Sequence, residues 1–233
     1  MCFSATASFA LAGVLVPAGI FTIAKIDRGH SAWLPLAAFP LVFGIQQGIE
    51  GAVWLGVDGG RQALVETAGR GFLFFSHFFW LVWVPFAVWR LESDPVRRRF
   101  AAALVAAGAL FGLSLFLPPV LVRDWLAVER VNLSLDYRTT LIYDGVVSRL
   151  VLQMAYAAIV VGALALSSDR RIRLFGALVA VSLAAAYVFF AYAYISVWCF
   201  FAAILSVYMT VVIQRDRRAA QGPDMRGMAG AEQ

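Results

Sequence analysis

Apolar residues run along this chain in blocks of about twenty, broken by short polar clusters. Blocks long enough to cross roughly 30 Å of hydrocarbon fall at about 4–24, 33–57, 71–90, 96–117, 143–166, 172–190 and 194–213. The pattern predicts an all-α fold, a seven-transmembrane-helix bundle occupying residues 1–214. The last two blocks are joined only by Ala191-Tyr192-Ala193. Residues 172–213 are too many for one span, so they divide into two helices around a tight turn. Polar caps mark other boundaries. Ser93-Asp94-Pro95 precedes the fourth span and Ser167-Ser168-Asp169 the sixth, offering acceptors to the first free N–H groups. Gly29 suits the end of the first. Prolines 17, 35, 40 and 85 lie in or near spans, where neighbouring helices re-satisfy the freed carbonyls.

Two segments break the pattern. Residues 118–142 are long and half apolar, and Val131-Asn132-Leu133-Ser134-Leu135-Asp136-Tyr137 alternates with period two. That predicts a strand or hairpin lying on the outer face. Beyond Gln214 the chain turns rich in Arg, Gly and Ala, and 215–233 is expected as a disordered cytoplasmic tail.

Composition explains why the solvent must be a lipid bilayer. The chain is 62% hydrophobic and 14% charged, whereas a soluble domain is about half apolar and a quarter charged. The net charge of +5 comes from clusters between apolar runs. Such clusters set topology rather than track phosphates, so no nucleic-acid partner is expected. With the N-terminus outside, thirteen Lys and Arg residues fall in the inner loops and tail and five in the outer loops. The expected arrangement is therefore N-terminus outside, C-terminus cytoplasmic, in the cell (inner) membrane as a multi-pass protein. No basic residue precedes the first block, while Lys25 and Arg28 follow it. This is the reverse of a cleavable signal, so Cys2 is expected at or beside the mature N-terminus. Lys25 is also the single lysine, which excludes a retinal protein with its late Schiff-base lysine.

Ionisable groups inside a bilayer cost about 3 kcal/mol each, so they mark functional sites by default. Here they are Glu50, His77, Asp144 and Arg149, with Gln46, Gln47, Gln153, Ser196 and Cys199 nearby in the spans. Glu50 precedes Val57 by seven residues, His77 follows Gly71 by six, Arg149 follows Tyr143 by six and Cys199 follows Tyr194 by five. At 1.5 Å per residue, all four are expected about 8–10 Å below the outer boundary. Gln46, Glu50 and Trp54 recur at i, i+4, i+8, and Arg149, Gln153 and Tyr156 form a second polar stripe.

Several chemistries fit this set. Cys2, His77 and Cys199, with Glu50 as fourth ligand or as base for a bound water, suit zinc or copper. A metal-dependent membrane hydrolase or hydratase would use Glu50 and His77 catalytically. Plainer readings stand beside it: Glu50 and Arg149 as a buried ion pair, His77 as a packing histidine, and Cys2–Cys199 as a disulfide. Two histidines are too few for a three-histidine zinc site or a di-haem cytochrome, and no phosphate loop or Ser-His-Asp order is present. The rival class is a non-enzymatic receptor or sensor, or a proton-coupled transporter, using Glu50, His77 and Arg149. A transporter would also need polar groups in the inner half, which is nearly bare of them.

Three segments carry a resemblance: Met1 through Phe9 (MCFSATASF), Phe43-Gly44-Ile45-Gln46-Gln47 through Glu50 and Trp54, and Ser196-Val197-Trp198-Cys199-Phe200-Phe201. Together they resemble a family of bacterial multi-pass membrane proteins that begin MCFSA and have no established activity. The resemblance spans essentially the whole chain and implies the topology and the choice of residues, not a reaction. The expected site, in the outer half under the 118–142 loop, comprises Cys2, Gln46, Gln47, Trp54, Glu50, His77, Arg149, Gln153, Trp198 and Cys199. It takes a small or lipid-derived molecule from the outer face. Nothing in the sequence sets the oligomeric state.

Overall fold

The computed structural model describes residues 4–122, 124–190 and 194–221. Among these described residues, seven helices are long and apolar enough to cross a membrane. They are α1 (Ala5–Ala24), α2 (Phe39–Asp58), α3 (Gln62–Leu91), α4 (Pro95–Leu121), α5 (Arg149–Leu166), α6 (Arg170–Phe190) and α7 (Tyr194–Gln221). A 3-10 turn at Arg28–Trp33 and one helical turn at Leu34–Ala37 lead into α2, where Pro35 and Pro40 interrupt the early backbone ladder.

Around the bundle α2 packs on α3, α3 on α4 and α5, α5 on α6, α6 on α7, and α7 back on α2. Helix α1 lies outside, against α2 and α7. Small residues permit the close crossings. A Cβ on Gly19 would collide with the backbone of Leu41, and one on Gly108 with the carbonyl of Leu81. These contacts draw α1 onto α2 and α4 onto α3, as membrane helix packing requires where no hydrophobic drive separates protein from lipid. Val14, Ile20, Leu110, Val181 and Val188 remain exposed, as lipid-facing positions do. The core is aromatic: Phe43 stacks on Trp80 at 3.9 Å between centroids, and Phe39 meets Trp80 and Phe175 edge-on.

At one end of the bundle, β1 (Leu126–Val131) and β2 (Ser134–Thr139) form an antiparallel hairpin. The chain turns at Asn132-Leu133, with Asn132 at φ 53°, a conformation Asn tolerates better than most residues. The alternation in the sequence thus straddles the turn, and its Leu133 is exposed. Leu135 and Tyr137 point inward, Tyr137 stacking on Phe72 at 4.5 Å. Arg130 reaches Asp58 at 3.3 Å and lies over the Trp54 ring at 5.6 Å. The hairpin therefore covers the end of α2, the first half of α3 and the start of α7.

At the opposite end Glu92 clasps two loops. Its carboxylate accepts from Ser93 N and Asp94 N, both at 3.1 Å, from Ser168 N at 2.8 Å and from Ser168 Oγ at 2.7 Å. Burial works to raise its pKa, but the hydrogen bonds from Ser168, Asp94 and Ser93 outweigh it and hold Glu92 below the usual carboxylate value.

Several boundaries differ from the sequence expectation, and α2 starts at Phe39, after the turns at Arg28–Trp33 and Leu34–Ala37, rather than at about 33. Helix α3 starts at Gln62 rather than about 71, because its first turns are amphipathic and lie under the hairpin instead of reading as a uniformly apolar span. Helix α5 starts at Arg149 rather than about 143. Residues 143–148 form turns with Gly145 at φ 84°, and Ser148 caps the helix by accepting from Val151 N at 3.4 Å. Helix α7 continues to Gln221, beyond the expected onset of a disordered tail at 215.

Candidate functional site

Helix α3 is interrupted by a π-helical turn at Phe74–Phe79, where Trp80 N donates to Phe75 O, five residues back. Such turns recur at functional sites because the extra residue re-aims side chains. This one carries Ser76 and His77, which are 5% and 6% exposed, with Ser76 Oγ 2.9 Å from His77 Nδ1. Both face a cavity of about 310 Å³, within the range of small-molecule sites.

Four helices and the hairpin build that cavity. Helix α5 contributes Arg149, Leu152, Gln153 and Tyr156, and α7 contributes Ile195, Trp198 and Cys199. Leu115 of α4 closes one side, and Tyr137, Arg138, Thr139 and Leu141 roof it. Among these described lining residues the charged ones are Arg138 and Arg149, both cationic. Arg149 Nη2 donates to Asp144 Oδ2 at 2.7 Å and to Thr139 O at 2.6 Å, and Asp144 also accepts from Leu141 N at 2.8 Å. Arg138 pairs with Asp136 at 2.9 Å and Glu129 at 3.0 Å. The carboxylates stand outside the lining, and Arg149 and Arg138 are among its residues, with the Arg138 side chain on the exposed face of β2.

A second polar group lies behind Cys199. Glu50 is fully buried and accepts from Ser196 Oγ at 2.6 Å and from Gln47 Nε2 at 3.2 Å. Gln46 Oε1 accepts from Trp80 Nε1 at 2.7 Å. The buried Cys199, unpaired among the described residues, has the Gln46 carboxamide and the Glu50 carboxyl group as polar neighbours. Cys199 thus stands between this network and the cavity.

The structure therefore brings His77, Arg149, Gln153, Trp198 and Cys199 to one cavity wall and places Gln46, Gln47 and Glu50 behind it. Trp54 is not among the lining; it belongs to the adjoining buried cluster of Val53, Val65, Phe72, Tyr137 and Cys199. Cys2 lies outside the described residues. Arg149 is not a buried partner for Glu50. It opens α5 at the cavity mouth, with its side chain 47% exposed and paired to Asp144. The depth expected for it assumed a helix already running from Tyr143, and Gly145 and Ser148 defer that start. Among the described residues no three His, Cys, Asp or Glu groups gather as a metal ion would require. Sequence reasoning missed Ser76, whose only sign was its place beside His77, and Arg138 and Thr139, whose role depends on how the hairpin folds over.

Comparison with known proteins gives a family but no activity. The model of DUF6629, a family of unknown function, matches residues 1–224. No curated protein and no solved structure matches the chain.

Proposed function

The chain belongs to DUF6629, a family of unknown function, and from its own cavity we propose that it is a membrane protein that binds a small or lipid-derived anion. The observation that carries this reading is the lining: two arginines at the mouth, Gln153 and His77 deeper, and apolar side chains elsewhere. Guanidinium groups suit phosphate or carboxylate, which they bind through paired, charge-assisted hydrogen bonds. A well-formed, mostly apolar pocket with a few convergent polar groups is the default binding site. The excess of Arg and Lys in the alternate loops supports placing the hairpin end outside and the C-terminus in the cytoplasm. The ligand then arrives from the outer face of the cell membrane. Metal is left out of this reading, because of the described donors expected for it His77 and Cys199 share the cavity wall and Glu50 stands behind.

The test uses three probes of one size: hexyl phosphate, hexanol and hexylamine, titrated against the detergent-purified protein. Binding of the phosphate alone, weakened at least tenfold in Arg149→Gln, is the expected result. Equal binding of all three, or of none, sinks the reading.

A further inference from the structure

The cavity has a continuation that the head-group reading does not use. Below it, toward the Glu92 end, lies a narrow second cavity of about 30 Å³, and both are lined by Tyr156, Trp198 and Cys199. Tyr156 and Trp198 meet edge-to-face at 5.4 Å between centroids, forming the partition. The lower cavity runs past Phe43, Trp80, Val84, Val179 and Ala202 as far as Leu164. No charged residue is among its described lining. From Arg149 at the mouth to Leu164 is fifteen residues of α5, about 22 Å of helix. A head group alone needs no such length of apolar interior.

Resting on the proposed anion site, we propose that the ligand is a single-chain amphiphile whose hydrocarbon tail threads between Tyr156 and Trp198 into the lower cavity. The geometry favours one chain over two. The lower cavity is closed in by aromatic rings on α2, α3 and α6 as well as α5 and α7, and its free volume of about 30 Å³ leaves no room for a second chain. A tail enters by parting the two rings, which turns an aromatic partition into a sleeve. The head stays with Arg138, Arg149 and Gln153. The same chemistry arises from an alkyl phosphate or from a fatty carboxylate, and the head-group arm of the experiment separates them.

The experiment photolyses the intact protein in lipid nanodiscs with dodecyl phosphate, and in parallel dodecanoate, each carrying a diazirine at the chain terminus. Adducts are mapped by mass spectrometry, and hexyl phosphate binding is measured on the same preparation. Adducts on peptides holding Val84, Val179 or Ala202 are expected, reduced at least fivefold by excess unlabelled probe and by Ala202→Phe. Hexyl phosphate still binds Ala202→Phe, which shows that the variant is folded. Ala202→Leu, a smaller plug, serves if the larger one does not fold. Adducts confined to lipid-facing positions such as Val14, Leu110 and Val188, with hexyl phosphate still bound, overturn the tail assignment and leave the anion site standing. Failure of hexyl phosphate to bind removes the anion site and this inference with it.

Discussion

Arg149 and Asp144 meet at 2.7 Å, and the same guanidinium reaches the carbonyl of Thr139, the last residue of β2. One side chain thus ties the first turn of α5 to the hairpin that roofs the cavity. The pair is solvent-accessible, so its electrostatic worth to the fold is small, about 0.2–1 kcal/mol. Its larger consequence is positional, because Asp144 holds the cation at the cavity mouth, where the proposed anion would enter. Arg149→Leu is therefore expected to shift thermal stability by no more than about 1 kcal/mol while hexyl phosphate binding falls at least tenfold. A Tm comparison in one detergent, run beside the titration, checks both. A collapse in expression would mean that Arg149 answers a buried charge after all.

Ser196 and Glu50 give the opposite prediction. Their bond of 2.6 Å joins α7 to α2 in a fully buried setting, where removing one partner of a buried hydrogen bond costs about 1–3 kcal/mol. Ser196→Ala should lose that much stability. Ser206→Ala is the control: Ser206 is as buried, but its hydroxyl only donates to Ala203 O within α7, and its loss should stay within about 0.5 kcal/mol. Equal losses in the two variants would argue that the Glu50 network carries no special weight.

Glu92 makes stability depend on acid. Its pKa is lower in the folded protein than the ordinary 4.5, so its contribution is complete above that value and is lost as pH falls through the folded pKa. Asp169 acts in the same direction, held down first by the hydrogen bond from Arg171. Glu92→Gln should cost about 1–3 kcal/mol at pH 7, since its amide nitrogen cannot accept from the loop donors. The gap between wild type and variant should close as pH drops below 4.5. Thermal melts from pH 7 to pH 3 would show it, and a gap that does not change with pH would refute the clasp.

Close helix crossings supply the fourth prediction. Gly108→Ala places a methyl against the carbonyl of Leu81, whereas a Cβ on Gly162 meets nothing within 4 Å. The first should destabilise by about 1–3 kcal/mol through overpacking. The second should be neutral or stabilise by about 0.5–1 kcal/mol through helix propensity. Urea or SDS unfolding of both variants distinguishes them.

Much of the fold was legible because hydropathy is a coarse, additive property. Each span needs only about twenty apolar residues, and none of the seven depended on a single position. What escaped depended on single positions. Gly145 and Ser148 delay α5 by six residues, and that delay moves Arg149 from the interior to the mouth. The stripe of Gln46, Glu50 and Trp54 was drawn at intervals of four, but each such step turns about 40° on a helix of 3.6 residues per turn. By Trp54 the helix has also risen about 12 Å from Gln46, which brings the indole to the hairpin end, under Arg130. The cavity's roof could not be read at all, since it is formed by where a hairpin lies down and not by any motif.

The π-helical turn at Phe74–Phe79 has a mechanical meaning as well as a local one. One surplus residue sets the two ends of α3 about 100° out of phase with each other, compared with an unbroken helix. The Gln62–Leu73 end can then be dialled to suit the hairpin while the Trp80–Leu91 end stays keyed to the aromatic core. His77, in the cavity wall, thus also sits at the joint between the half of α3 under the hairpin and the half set in the core.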